Sequence, residues 1–397
     1  VLDEPTSALD PTSAEEVLAA VLRLVHDLGV TALVAEHRLE RVVEYADRLV
    51  YLPGGGRVET GTPSEMLQAV PLAPPVVELG RIAGWRPLPL SVRDARRVAP
   101  PLRDRLAGLD PTTVPRRIDT TPARRAPAAF VSTTPPPWPP PGGPVLRADK
   151  IVVTYGSLVA VREVTIELGP GEIRALMGRN GSGKSSLLWA LTAALPRRSG
   201  RIRISGTDVT KLSTGSVREL VRLVPQTPGD LLFLETVAAE CHAADTETGA
   251  HAGICRDLLD RLAPGIADDT HPRDLSEGQR LALALAVQLT ASPPLILLDE
   301  PTRGLDYRAK RALADVLSGL AAEGRGLMIA THDVEFAAMA ADRVTILAGG
   351  ELVAEGGTAE ILGGSPAFAP QVNKVLAPAG WLTVDQVAAG LSLVKPS

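Results

Sequence analysis

The chain has 397 residues, enough for two or three domains with cores of their own. Its net charge of −5 gives no overall pull toward nucleic acid or an anionic membrane, and nucleic acid is not expected among its partners. Cys241 and Cys255 fit no disulfide framework or metal spacing, and 45% hydrophobic with 22% charged residues is the balance of a globular protein.

The chain opens on VLDEPTSALD. Residues 17–28 carry apolar side chains at helical spacing, VTALVAEH (30–37) predicts a buried strand, and ADRLVYLPGGGRVETG (46–61) predicts two short strands around a glycine turn. From about residue 69 the composition shifts. Prolines at 71, 74, 75, 87, 89, 100 and 101 break the next stretch, and residues 81–125 hold eleven arginines against four aspartates. That predicts a solvated basic segment, with a contact to anionic headgroups or to a partner as the alternative. Residues 111–144, with TTPPPWPPPGGP, read as an extended linker. A fresh domain starts at Val145, and its alternating strands and helices predict an α/β fold with a mostly parallel sheet. The most apolar stretch, 281–298, is broken by Gln288, Ser292, Pro293 and Pro294, so it predicts a helix, a turn and a buried strand, not a membrane span.

An internal repeat runs through the chain. VLDEP at the start returns as LLDEP (297–301), so that Asp3 matches Asp299, Asp10 matches Asp306 and His37 matches His332. ADRLVYLPGG matches ADRVTILAGG, and GWRPLPLSV at Trp85 echoes GWLTV at Trp381. About 150 residues precede the second copy of the acidic strand inside its domain, against two before the first copy. The expectation is a chain cut inside its first module, with the two tails after each module packed on one another.

GRNGSGKSS (178–186) fits G-x-x-x-x-G-K-[ST] between a predicted strand and a predicted helix. Gly178, Asn180, Gly181 and Gly183 let backbone N–H groups turn around phosphate oxygens, with Ser186 beginning the helix whose N-terminal end adds positive potential. Lys184 can reach the β- and γ-phosphates of ATP, and the Ser185 hydroxyl can hold Mg²⁺. In LILLDE, four apolar residues bury a strand that ends on Asp299, within reach of the magnesium shell, and on Glu300, placed to orient an attacking water.

Further motifs resemble the ATP-binding cassette (ABC) ATPases. LSEGQ, with Ser276, Gly278 and Gln279, is similar to their signature; Gln226 matches the Q-loop, RGLD with Asp306 the D-loop, His332 in ATHD the switch histidine, and Tyr155 the aromatic that stacks on adenine. The resemblance covers residues 146–363. It implies an α/β phosphate-loop NTPase fold with a mixed or parallel sheet and a helical subdomain, ATP and Mg²⁺ as cofactors, Ser185, Gln226 and Asp299 toward the metal, and Glu300 and His332 as catalytic groups. In the first module Asp3 matches a metal residue, Glu4 and His37 match the catalytic pair, and Ser7 to Asp10 match the D-loop.

The expected domains are 1–68, the C-terminal remnant of a first cassette; 69–110, its tail; 111–144, a linker; 145–365, a complete second cassette; and 366–397, a second tail. In this family two cassettes pair head to tail, the signature of one covering the nucleotide of the other, and they serve membrane-embedded transporter subunits from the cytoplasmic face. The stretch after His37 and the short tails are similar to the tandem ATPases of energy-coupling factor importers for vitamins and metal ions. An importer ATPase for sugars or peptides, or a ribosome-acting tandem protein, are the alternatives. With Glu4, Glu300, His37 and His332 all present, both sites of such a pair are expected to hydrolyse ATP.

Overall fold

The computed structural model describes residues 1–6, 9, 11–71, 73–117 and 143–394. Ser7, Asp10 and most of the proline-rich linker therefore lie outside the described residues.

The 145–365 domain is built on a six-stranded sheet. Its strands are β1 (Ile173–Met177), β2 (Val221–Val224), β3 (Leu295–Asp299), β4 (Gly326–Ala330), β5 (Arg343–Ala348) and β6 (Glu351–Gly357), in spatial order β2-β3-β4-β1-β5-β6. All pairings are parallel except β5 with β6. Every residue of β1, β3 and β4 is buried, as the continuous apolar runs IRALM, LILLD and GLMIA require of strands covered on both faces. A second sheet, antiparallel, combines Leu146–Tyr155, Leu158–Leu168, Ser199–Ile204 and Thr207–Asp208. Helices Val237–Thr248, Ile254–Leu262 and Glu277–Leu289 pack together as a helical subdomain, where Cys241 and Cys255 are both buried and free.

The N-terminal segment holds helix Pro11–Leu28 and a hairpin of Leu49–Gly54 with Arg57–Gly61. The buried strand expected over 30–37 is not formed: only Val34–Ala35 pairs, in parallel with Leu2–Asp3, while Val30 and Leu33 are 47% and 56% exposed. A two-residue partner covers too little for the rest of the run to bury.

The two tails form one helical module. Leu79, Leu102 and Leu106 from the first share a core with Val372, Leu376 and Trp381 from the second, and Val43 and Leu67 of the N-terminal segment join it. Polar contacts fix the fit: Val76 N donates to Gln371 Oε1 at 3.0 Å, and Gln386 Nε2 donates to Pro111 O at 2.6 Å. The arginine-rich stretch is not simply solvated. Arg103 donates to Val375 O at 2.6 Å, Arg96 to Lys374 O at 2.6 Å, and Arg117 to Ala314 O at 2.7 Å, so these side chains satisfy carbonyls of neighbouring elements. Residues 111–117, the first seven of the expected linker, thus reach the 145–365 domain through Arg116 and Arg117.

Glu335 sits where this module meets the domain, its Oε1 accepting from Gln371 N at 2.7 Å. Burial pushes its carboxyl up from the ordinary 4.5 to about 8, against the Gln371 bond and helped by Glu40 and Asp333. The folded protein thus holds this proton more tightly than the unfolded chain. That contribution is full below about pH 4.5 and is lost as pH rises toward about 8. Glu335→Gln, which keeps the acceptor and cannot ionise, is expected to flatten the decline in thermal stability across that window. Identical melting-temperature slopes in the two proteins would refute it.

Candidate nucleotide site

Strand β1 delivers the chain to the glycine loop, and helix α1 (Lys184–Leu191) carries it away. Gly178 and Gly183 have φ of +149° and +100°, and a Cβ at either would collide with a backbone oxygen, of Leu347 or of Ala160. Only glycine lets the loop close this tightly. Lys184 is 6% exposed, and its Nζ donates to Gly178 O at 2.9 Å and Arg179 O at 3.2 Å. The ammonium lies under the loop, 4.0 Å from Glu300 Oε1.

The end of β3 supplies the carboxylates. Burial pushes the Asp299 carboxyl up, opposed by a hydrogen bond with Ser185 and by Lys184. Glu300 follows with φ of +48°, a left-handed backbone that a non-glycine residue adopts at a cost. Its N–H donates to Ala330 O at 2.8 Å, which ties it to β4. Glu300 Oε2 lies 2.9 Å from His332 Nδ1 and accepts from His332 N at 3.3 Å. Asp299 Oδ1 and Glu300 Oε1 are buried without a hydrogen-bond partner. A buried orphan carboxylate oxygen beside a serine hydroxyl suits a hard cation, and the set fits Mg²⁺. Among the described residues no cluster of three acidic, histidine or cysteine ligands exists, so most of the coordination would come from phosphate and water.

A cleft of 590 Å³ is lined by Tyr155, Asn180, Gly181, Gly183, Lys184, Ser185, Gln226, Glu300 and His332, with Gly178 and Asp299 behind its lining. Tyr155 is half-exposed at its rim, with its hydroxyl 3.4 Å from Ser186 Oγ. Ser276, Gly278, Gln279 and Asp306 are not part of it. Ser276 caps helix Glu277–Leu289 in a reciprocal pair with Gln279, and Gly278 packs against Leu305. Asp306 caps helix Tyr307–Ala322, accepting from Ala309 N at 2.8 Å. It lines a separate 240 Å³ cleft that it shares with His37.

The N-terminal segment repeats the catalytic geometry. Glu4 also has a left-handed backbone, φ +42°, and its N–H donates to Ala35 O at 2.9 Å, as Glu300 does to Ala330. His37 Nδ1 lies 3.1 Å from Glu4 Oε1. Asp3 is exposed. Sequence reasoning missed Arg303, which lines the nucleotide cleft, and a buried charge cluster of Arg38, Asp333 and Lys310 beside it. Burial pushes the Asp333 carboxyl up, but Lys310 and Arg38 outweigh it and hold the group below the usual carboxylate range. The signal was available: each switch-type histidine is followed by a charge, of opposite sign in the two copies, in EHR and THD.

A glycine loop at the N-terminal end of a helix, beside a strand ending in two buried carboxylates, defines a phosphate-loop nucleotide-binding protein. The family model described as ABC transporter matches residues 161–303. An ABC transporter ATP-binding protein of Streptomyces avermitilis is 56% identical over 99% of this chain and 71% of its own length, and one of Streptomyces coelicolor is 53% identical over the same shares. One from Clostridium tetani is 28% identical over 94% of this chain and 80% of its own. Two solved structures, an ATP-binding subunit of an ABC transporter and cbiO1 of Clostridium perfringens, part of the ABC transporter complex cbiONQ, are each 26% identical with a TM-score of 0.50. They cover 55% of this chain and 91% and 90% of their own. The chain belongs to the ATP-binding proteins of ABC transporters. It is an ATPase that works with membrane components of a transporter, and among the described residues no helix is long and apolar enough to cross a membrane.

Proposed function

We propose that the chain powers an importer of the energy-coupling factor type, for a vitamin or a metal ion, from the cytoplasmic face of the membrane. The observation that carries this reading is the helical module shared by the two tails, in which residues 75–106 and 371–393 build one core joined to the N-terminal segment. Such a module would hold two cassettes together through the nucleotide cycle. The likeness to cbiO1, itself part of a transporter complex, supports it. The matched geometry of Glu4–His37 and Glu300–His332 supports reading residues 1–68 as part of a first cassette.

In the cassette, Lys184 neutralises phosphate oxygens, Ser185 and Asp299 would hold magnesium with Gln226 nearby, Glu300 orients water and His332 holds Glu300 in place. The metal, when bound, draws charge from the β- and γ-phosphates. Ser276, Gly278 and Gln279 stand outside the cleft because their place is over the nucleotide of an opposing cassette. A tagged protein isolated from membranes tests the importer class. The expected result is co-isolation of a polytopic scaffold with a small substrate-binding membrane protein. Recovery with ribosomes, or with a sugar- or peptide-type permease pair, would overturn it.

A further inference from the structure

We propose that Arg38 is a positioning residue for the nucleotide site of the 145–365 cassette, reaching it from the N-terminal segment and fixing the tautomer of His332. Arg38 is 4% exposed, and its Nη1 lies 3.1 Å from His332 Nε2. Two anchors hold it there. Its backbone N–H donates to Glu36 Oε1 at 3.2 Å, and its Nη2 lies 3.9 Å from Asp333 Oδ2, an oxygen that Lys310 Nζ also meets at 2.7 Å.

The chemistry of the pair sets the direction of the contact. A guanidinium carries donors and no acceptor, so His332 Nε2 must accept. The ring hydrogen is then on Nδ1, which faces Glu300 Oε2 at 2.9 Å, while the His332 backbone N–H donates to the same oxygen at 3.3 Å. The opposite tautomer would place a bare Nδ1 lone pair against the Glu300 carboxylate, and the carboxylate would turn away. Arg38 and Glu300 therefore favour the same tautomer from opposite sides of the ring, Arg38 by donating to Nε2 and Glu300 by facing Nδ1. The other ring nitrogen of a histidine commonly decides what its partner nitrogen does in this way.

The counterpart position in the cassette is Asp333, a carboxylate held ionised by Lys310 and Arg38, and it has no hydrogen to donate to His37. Among the described residues no hydrogen bond reaches either ring nitrogen of His37. The two histidine–glutamate pairs thus share a backbone plan and differ in the contacts that support them.

The inference rests on Glu300 orienting the attacking water. Its first test does not. Whole chain labelled with ¹⁵N-histidine gives the tautomer of His332 by long-range ¹H–¹⁵N NMR, with the signal assigned through His332→Gln. Wild type is expected to carry the hydrogen on Nδ1. Arg38→Ala is expected to shift it toward Nε2, and Arg38→Lys, which keeps a donor, to restore it. In ATP hydrolysis Arg38→Ala is expected to lower kcat about tenfold with KM within about twofold, and Arg38→Lys to recover much of the loss. An unchanged tautomer in Arg38→Ala overturns the proposal, as does a shifted tautomer with unchanged kcat. Failure of the wider reading would show separately, as undiminished hydrolysis in Glu300→Gln.

Discussion

Lys184→Ala is expected to weaken ATP binding by about 10- to 100-fold, the size of one to two charge-assisted hydrogen bonds. The ammonium is 6% exposed and lies under the loop on the carbonyls of Gly178 and Arg179. Alanine removes the cation that phosphate would meet and strands those two carbonyls at once. Lys184→Arg should not rescue binding, because a planar fork is larger than an ammonium and the loop is closed tightly by Gly178 and Gly183. Titration with a fluorescent ATP analogue measures the effect, and circular dichroism checks that the fold is intact. Wild-type affinity in the alanine variant would remove the phosphate-loop reading of residues 178–186.

That site was legible in the sequence because its chemistry leaves little choice of residue. Cradling phosphate demands glycines at the tight positions and a lysine at a fixed spacing, and a doubly covered strand demands an unbroken apolar run such as LILLD. The pairing of the tails was legible in the GW repeat at Trp85 and Trp381, but the make-up of their module was not. Its prolines read as breakers, yet Pro75 and Pro100 each stand in the first turn of a helix, Pro75–Ala83 and Pro100–Leu106, where a missing N–H costs nothing. Its arginines read as solvated charge, yet Arg96 and Arg103 donate to carbonyls of residues 374 and 375, partners nearly 280 positions away in the chain. The strand expected over 30–37 failed for a related reason. An apolar run buries only where something covers it, and Val30 and Leu33 find no cover. Arg38 belongs with these cases: its role follows from meeting His332 across the fold, and no local pattern announces that.

Glu300→Gln is expected to lower ATP turnover by about 10²–10³ while leaving ATP affinity near that of the wild type. The carboxylate is 7% exposed, and its backbone is held in a left-handed conformation by the bond from its N–H to Ala330 O. That strain is worth keeping only if the side chain must point into the cleft, where Oε2 meets His332 and Oε1 is left without a partner. Glutamine has nearly the same shape and still offers an oxygen to His332 Nδ1, so the loop and the histidine should stay in place. It loses the negative charge that polarises water for attack on phosphorus. Binding should change little, because the Lys184 ammonium, the loop N–H groups and Ser185 are untouched, and one like charge facing the phosphates is gone. Phosphate release and nucleotide titration on the same sample separate the two effects. Turnover equal to wild type would mean that another group orients the water, whereas a fall in affinity matching the fall in turnover would mean that Glu300 acts through binding alone.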